Sequence, residues 1–319
     1  MSAVEAVVQA GGAPASRLMD RLEERMAGLA GAYGPQLGRL GGDTLAAGGK
    51  RLRPLLVFLA AGTPPPETDA LLSAAVAVEL VHSATLVHDD VLDAAALRRG
   101  RPTVVAAAGR HLATATGDLL FSRAFAELAA TGSEAMVRSL SRASTGLAAG
   151  ELMQREDAYR AVPEERYLER CRLKTAVLFR AACELGALEG GGSVEAVGAF
   201  GEQIGIAFQL LDDVLDVSGP PERTGKPRGT DLLDGTVTLP LLIARERDPD
   251  LAALDPRTID GPEAAEEVCD RIAGTGALDA VRERALRLIA AAKALLPGLP
   301  ERQRIALELV AEGVVARYA

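Results

Sequence analysis

Apolar residues recur at helical spacing along almost the whole chain, and this periodicity restricts the fold more than any other feature. In SRLMDRLEERMAGLAGAY, for example, leucine and methionine fall three or four positions apart. Strand-like alternation of β-branched and aromatic residues is nearly absent, and aromatic residues make up only 3% of the chain. The pattern predicts an all-α protein.

Clusters of Gly and Pro divide the helical segments. These clusters are GTPPPETD, ALEGGGS, SGPPERTGKPRGT, RDPDLAALDPRTIDGPEA and LLPGLPE. None of them is long enough or biased enough in composition to be a linker between domains. We therefore expect one all-α domain over residues 1–319, built from many helices.

The most apolar stretch, Ala70 to Val87, is interrupted by Glu79 and His82. This favours a helix buried in a protein core over a membrane span. The N-terminal segment has no basic region followed by an apolar core, so it does not predict a signal peptide. The three cysteines lack paired spacing and are expected to be buried and reduced. We expect a cytoplasmic protein without stable membrane insertion.

The same five residues, Asp-Asp-Val-Leu-Asp, occur twice, at 89–93 and at 212–216, each time directly after an apolar run. On a helix the first and fifth residues share a face, and the second lies about 100° away. Carboxylates this close repel one another and raise each other's pKa values. A hard divalent cation removes the conflict, and Mg²⁺ often bridges carboxylates to phosphates. The net charge of -9 argues against a nucleic-acid partner, because binding to phosphate backbones depends on an excess of Lys and Arg.

Cationic residues follow each acidic motif, in ALRRGRPT and RTGKPRGT, and others gather in GGKRLRP at 48–54. The last segment is not a Walker nucleotide-binding loop, because Thr44 and Arg51 stand where Gly and Ser/Thr are required. Lys50, Arg51 and Arg53 form either a surface basic patch or a second anion site. Acidic, basic and apolar residues together predict a metal–diphosphate site at the end of an apolar cavity, with a solvated acidic helix face as the alternative.

The residues around these motifs resemble the trans-isoprenyl diphosphate synthases, also called polyprenyl synthetases. The resemblance rests on VELVHSATLVHDDVLDAAALRRGRPT, Gly117-Asp118, GELMQ, KTAVLFRAACELGA and FQLLDDVLDVSG. It implies the isoprenoid synthase fold, a single-domain bundle of antiparallel helices around a deep central cavity, and a homodimer. The implied reaction joins isopentenyl diphosphate to an allylic diphosphate and gives an all-trans polyprenyl diphosphate.

The resemblance also implies roles for individual residues. A cluster of Mg²⁺ ions would be held by Asp89, Asp90, Asp93, Asp212, Asp213 and Asp216. The allylic diphosphate would be bound by Arg98, Lys174 and Lys226. Isopentenyl diphosphate would be bound by Gly49, Lys50, Arg53, His82 and Arg99. Thr175 and Gln209 would lie near the developing carbocation. His88 and His111 are expected to be structural.

The resemblance implies that side chains just before the first acidic motif form a floor of the cavity and so limit the length of the product. The positions five and four before Asp89 are Ala84 and Thr85, and Val81 lies one turn deeper. None is aromatic, so we expect a product longer than geranylgeranyl diphosphate. Phe121 and Phe125 on the next helix could still close the cavity, which leaves a geranylgeranyl diphosphate synthase as an alternative.

Two places depart from the family pattern, and one of them is the stretch AAAL after Asp93, which is less polar than in many relatives. Thr236 stands where many relatives carry Lys, so one phosphate contact is expected to be lost. A terpene cyclase is a weaker alternative, because this chain has no Trp and few other aromatic rings to guide a cation. A regulatory subunit of a two-chain synthase, or an acidic metal buffer, would not be expected to keep both acidic motifs and the basic segment GGKRLRP.

Overall fold

The protein is all-α, as its periodicity predicts. The computed structural model describes residues 3–30, 40, 42, 44, 45, 51–98, 100–219, 227–296 and 298–316. Its helices are α1 Ala3–Ala30, α2 Leu52–Ala61, α3 Asp69–Leu92, α4 Val104–Ala129, α5 Glu134–Glu156, α6 Glu164–Cys171, α7 Val177–Gly190, α8 Val194–Ser218, α9 Thr230–Leu233, α10 Leu239–Arg247, α11 Pro249–Ala253, α12 Pro262–Gly274, α13 Ala277–Lys293 and α14 Glu301–Ala316. Strands β1 (Leu97–Arg98) and β2 (Arg101–Pro102) form one short antiparallel hairpin.

The predicted breakers coincide with helix ends. GTPPPETD separates α2 from α3, ALEGGGS contains the end of α7, and LLPGLPE separates α13 from α14. The Pro-rich segment after α10 contains the short helix α11 and one 3₁₀ turn at Pro256–Thr258. One wider π-helical turn, Arg172–Ala176, continues α6 into α7.

The contacts within the chain define two compact units. The first comprises Met1–Ser144, Leu178–Gly201 and Leu295–Gly313, and the second comprises Thr145–Val177, Glu202–Ala294 and Val314–Ala319. The first acidic motif belongs to the first unit and the second motif to the second unit. One domain over the whole chain therefore stays a prediction.

Helix α3 is the central helix of the first unit. It begins at a cap in which Thr68 Oγ1 accepts a hydrogen bond from the Leu71 N–H at 3.1 Å. The helix is apolar and long enough to cross a membrane by composition alone, but 78% of its most apolar window is buried in the protein. The predicted core helix is confirmed, and it ends where Ala94 adopts a left-handed φ of 49°.

Two glycines of α7 allow it to pack closely on α2. A Cβ at Gly186 would collide with the Val57 carbonyl oxygen and with Ala60 Cβ. At Gly190 it would collide with the Ala61 carbonyl. Because these neighbours are mostly backbone atoms, they cannot move aside as the end of a side chain would, and the close approach of α2 and α7 requires glycine.

The three cysteines, Cys171, Cys183 and Cys269, are buried and make no disulfide. Burial raises the pKa of the Cys269 thiol to about 12, and it raises the pKa values of the other two as well. The thiols are therefore protonated at neutral pH, which agrees with the expected role as small core residues.

The contact between α2 and α7 yields a prediction about stability. Gly186→Ala is expected to lower the free energy of unfolding by about 1–3 kcal/mol, because overpacking outweighs the gain in helix propensity. Gly28→Ala in α1 is the matched control, since a Cβ there meets no atom within 4 Å. It should be neutral or stabilise by up to about 1 kcal/mol. Chemical denaturation of both variants measures the difference, and equal effects would contradict the close packing.

Candidate active site

The first acidic motif occupies the last turn of α3 and the residue that follows it. Asp90 is buried, Asp89 is partly buried, and Asp93 is exposed. The Asp93 N–H donates to the Asp89 carbonyl oxygen at 2.8 Å, so helical geometry continues through the motif. Asp89 and Asp93 therefore lie on one helix face, as their spacing predicts.

The buried carboxylate of Asp90 pairs with Arg98. Arg98 Nε and Nη2 each lie 2.8 Å from Asp90 Oδ1. The hairpin pairs Arg98 with Arg101, which fixes the arginine backbone beside the end of α3. A charge-assisted pair of this kind neutralises a carboxylate that would be costly to bury alone. The contact thus links Asp90, expected on the metal side, to Arg98, expected to bind a diphosphate.

His88 joins the end of α3 to α4. Its Nε2 lies 3.2 Å from Asp118 Oδ1 and 3.4 Å from the Thr114 carbonyl oxygen, and its ring stacks on Phe121 at 5.9 Å between centroids. The imidazole occupies the space that a side chain at Gly117 would need. These contacts agree with the expected structural role of His88 and account for the Gly117-Asp118 pair.

The positions expected to form the floor of the product cavity lie along the same helix. Val81 and Ala84 are 0% exposed, and Thr85 Oγ1 donates to the His82 carbonyl oxygen at 2.7 Å. All three side chains are small. Phe121, which was expected to close the cavity if the floor did not, stacks on the His88 ring.

Several predicted substrate residues lie outside the described part of the chain. They are Gly49, Lys50, Arg99 and Lys226. Arg53 is described, and its guanidinium lies 4.5 Å from the centroid of the Phe179 ring, a cation–π distance.

Arg51 is not part of a surface basic patch. Its Nε donates to Glu23 Oε1 at 2.6 Å, its Nη1 to Glu79 Oε1 at 2.7 Å and its Nη2 to the Leu45 carbonyl at 2.8 Å. Burial disfavours the charge, but the two carboxylates outweigh burial and raise the pKa of Arg51. The pairing explains why the apolar helix α3 carries Glu79, and it makes Arg51 an anchor for the start of α2.

A cavity of about 280 Å³ lies in the first unit beside α3. It combines apolar walls with two Arg–carboxylate pairs, and it includes His82. Its lining residues are Leu40, Thr44, Arg51, Glu79, His82, Ser83, Leu86, Asp90, Arg98, Arg101, Pro102, Thr103, Val104 and Ala107.

The second acidic motif lies near the end of α8. Asp213 is buried, Asp212 is exposed, and Asp216 is partly buried. The Asp231 N–H donates to Asp216 Oδ2 at 3.3 Å. As in the first motif, the second carboxylate faces inward and the first and fifth share another face of the helix.

Neutral donors hold the buried carboxyl of Asp213. Tyr167 Oη donates to Asp213 Oδ2 at 2.5 Å, and Gln209 Nε2 donates to Oδ1 at 2.7 Å. Thr175 Oγ1 in turn donates to Gln209 Oε1 at 2.6 Å. Burial, and then the charge of Asp231, raises the pKa of Asp213 well above its ordinary range. The network links Thr175 and Gln209, both expected near the carbocation, to the acidic motif.

The π-helical turn places Lys174 beside α5. Lys174 Nζ lies 2.6 Å from Glu151 Oε2. A Cβ at Gly150 would lie 2.6 Å from the Lys174 backbone nitrogen, so the turn is packed directly on this glycine. A π-helical turn contains one more residue than an α-helical turn, and such turns inside helices are frequent at functional sites.

The donor set suits a hard divalent cation. In each motif the middle carboxyl group is buried and hydrogen-bonded within the protein, and the outer two, which are less buried, are oxygen ligands of the type that Mg²⁺ prefers. Within the described ranges, no three His, Cys, Asp or Glu side chains converge closely enough to hold an ion alone.

The sequence patterns did not point to Tyr167 or Glu151, and they placed Arg51 at an anion site or on the surface. Tyr167 and Arg51 are 46 and 28 positions from their partners in the sequence, and no local signal marks such pairs. Glu151 lies inside the quoted motif GELMQ, so a partner for it could have been sought.

Comparison with known proteins gives consistent matches. A family model described as Polyprenyl synthetase matches residues 35–273. The chain is 41% identical over 285 residues to heptaprenyl diphosphate synthase component 2 of Geobacillus stearothermophilus, covering 87% of this chain and 88% of that protein. It is 39% identical over 254 residues to geranylgeranyl diphosphate synthase of Methanosarcina mazei, covering 76% and 78%.

A solved structure is also similar. It is a polyprenyl synthase from Caulobacter crescentus complexed with calcium and isoprenyl diphosphate, with a TM-score of 0.88, 36% identity, and coverage of 99% of this chain and 98% of that one. The likeness confirms the all-α isoprenoid synthase fold that the motifs imply.

The Asp213 network predicts a specific loss of stability. Tyr167→Phe removes a donor from a buried carboxyl group and should lower the free energy of unfolding by about 1–3 kcal/mol. Tyr159→Phe is the control, because the Tyr159 hydroxyl has no hydrogen bond to the described residues, and its effect should stay within about 0.5 kcal/mol. Thermal or denaturant unfolding distinguishes the two, and equal small losses would contradict a stabilising role of the Tyr167–Asp213 bond.

Proposed function

The chain belongs to the polyprenyl synthetase family and is a prenyltransferase, and on this premise we propose that it joins isopentenyl diphosphate to an allylic diphosphate with the help of Mg²⁺. In the proposed reaction the allylic carbon–oxygen bond breaks, pyrophosphate departs, and the double bond of isopentenyl diphosphate attacks the cation. The observation that carries the proposal is the repeated motif, in which the protein holds a buried middle carboxyl group and two less buried carboxylates on one helix face offer oxygen ligands.

The metal ligands are proposed to be the outer carboxylates of each motif, Asp89 and Asp93 in the first and Asp212 and Asp216 in the second. Asp90 and Asp213 are then positioning residues, which narrows the six-residue set that the sequence implies. When bound, Mg²⁺ would supply Lewis-acid stabilisation of the negative charge on the departing pyrophosphate.

The remaining residues are proposed to hold the substrates and protect the cation. Lys174, Arg98 and Lys226 would bind the allylic diphosphate and stabilise its growing charge. The Thr175 and Gln209 oxygens, oriented by their mutual hydrogen bond, would place partial negative charge near the allylic cation. These groups act without a protein nucleophile.

Isopentenyl diphosphate is proposed to bind beside His82. The cavity of about 280 Å³ that includes His82 combines apolar walls with three arginines, two of them paired with carboxylates, and so offers both an apolar and a polar surface to a five-carbon diphosphate. Gly49, Lys50, Arg53 and Arg99 would complete this substrate site, as the family resemblance implies. Proton loss completes the reaction, and departing pyrophosphate is a suitable base.

We propose a product longer than geranylgeranyl diphosphate. The small side chains at Val81, Ala84 and Thr85 support it, and the 41%-identical relative is named a heptaprenyl diphosphate synthase component. The 39%-identical relative is named for geranylgeranyl diphosphate, so a four-unit product is the second candidate.

Assembly and location are likewise proposals. The family resemblance supports a homodimer, and the buried, unpaired cysteines support a location in the reducing cytoplasm. The word "component" in the name of one relative supports a second possibility, a synthase that also needs a different chain. The complete acidic motifs favour a chain that carries the catalytic side of any such assembly.

The proposed reaction is tested directly with purified protein, Mg²⁺, isopentenyl diphosphate and each allylic diphosphate in turn, with product mass as the readout. Asp89→Asn should lower turnover by at least about 10²-fold, because charge stabilisation at the leaving group is lost. Asp20→Asn, on an exposed position of α1, is the charge-matched control. Elongation only after a second chain is added would favour the two-chain synthase, whereas no elongation under either condition would refute the proposed reaction.

The proposed floor predicts a change in product length. Ala84→Phe should shorten the main product by at least one five-carbon unit, because the ring fills space that the growing chain would use. Thr85→Phe provides a second variant, at a partly buried position, if the first fails to fold. Ala253→Phe, at an exposed position of α11, is the control. Product length is read by mass spectrometry. Unchanged length in both floor variants would rule the floor out.

A further inference from the structure

Lys174 has a carboxylate partner that the proposed mechanism does not use. Glu151 Oε2 lies 2.6 Å from Lys174 Nζ, and Glu151 Oε1 accepts a hydrogen bond from Arg155 Nε at 2.8 Å. The Glu151 and Lys174 side chains are only 19% and 28% exposed. Burial opposes ionisation of Glu151, but Lys174 and then Arg155 outweigh it and lower its pKa. The site thus contains an ionised, partly enclosed carboxylate in contact with a cation expected to bind a diphosphate.

The geometry of this pair is fixed from both sides. Gly150 packs against the Lys174 backbone, and a Cβ at Gly146 would lie 3.2 Å from Val177. On the other side, the next residue of the π-helical turn, Thr175, donates to Gln209 at 2.6 Å. Lys174 therefore starts from a defined backbone position, and its long side chain is the part free to change partners.

We propose that Glu151 is a positioning residue that competes with the diphosphate for Lys174 and thereby speeds the release of pyrophosphate. The inference rests on the proposed function, in which Lys174 binds the diphosphate of the allylic substrate. Glu151 keeps the ammonium group in place while the site is empty. It also sets a negative charge beside a ligand that is itself strongly negative, which weakens binding of that ligand.

One electrostatic and one kinetic argument explain why faster release of pyrophosphate would favour turnover. Pyrophosphate gains negative charge when the bond breaks and stays strongly negative after it takes the proton, so a cationic site tends to retain it. Product release limits many enzymes. When Glu151 pairs with Lys174 again, the product complex becomes less stable and the site returns to its empty state.

A purely structural ion pair would behave differently. Removal of an ion pair at this level of exposure costs about 0–1 kcal/mol of folding free energy and leaves ligand affinity unchanged. Competition instead predicts tighter binding of pyrophosphate after the carboxylate charge is removed. Ligand affinity therefore separates the two roles.

The experiment uses the full-length protein with Mg²⁺ and measures both the Kd and the inhibition constant of inorganic pyrophosphate. Glu151→Gln should tighten pyrophosphate binding by about threefold or more and lower both kcat and the KM for the allylic diphosphate. Glu151→Asp retains the charge and should behave nearly as the parent protein. Glu156→Gln, on the same helix and 71% exposed, is the matched loss of charge and should change neither constant.

A double-mutant comparison isolates the contribution of Lys174. Lys174→Ala should weaken pyrophosphate binding, and Glu151→Gln in that background should have less than about a twofold effect. If Lys174→Ala weakens binding while Glu151→Gln leaves it unchanged or weakens it, the competition is refuted and the proposed function stands. If Lys174→Ala leaves pyrophosphate binding unchanged, the proposed role of Lys174 in diphosphate binding fails. Thermal unfolding of each variant confirms that it is folded.

Discussion

The inward-facing carboxyl group of each acidic motif is the constraint on which the rest of the site depends. In both motifs the second of the three carboxylates lies in the core, and a buried carboxylate without partners costs several kcal/mol. The chain meets this cost in two ways. Arg98 brings a full positive charge to Asp90, whereas Tyr167 and Gln209 bring neutral donors to Asp213. Identical pentapeptides thus sit in different electrostatic surroundings.

Much of the fold follows from local features of the sequence. Helix α3 has a Thr cap, an apolar middle and a break after Asp93, so its length and burial could be predicted from residues within one or two turns. The Gly and Pro clusters marked helix ends for the same reason. The paired outer carboxylates, Asp89 with Asp93 and Asp212 with Asp216, also followed from helical spacing.

Other parts of the site could not be predicted, because their partners are distant in sequence. Arg51 belongs to a basic run and was expected at an anion site or on the surface, yet two glutamates on other helices draw it inside. Tyr167 shows no local sign that it faces Asp213. The π-helical turn at Arg172–Ala176 could not be predicted from the spacing of apolar residues either. One extra residue in a turn shifts the helical periodicity but leaves the composition unchanged.

The contact between His88 and Gly117 shows how a residue without a side chain can affect the surroundings of the first acidic motif. The imidazole acts as a spacer of fixed thickness between the end of α3 and the backbone of α4. A Cβ at position 117 would lie 2.3 Å from Nε2 of this ring, so even alanine, usually the mildest replacement, would require the imidazole to move. Because His88 is the residue next to Asp89, steric volume on the neighbouring helix thus reaches the side chain beside the first acidic motif.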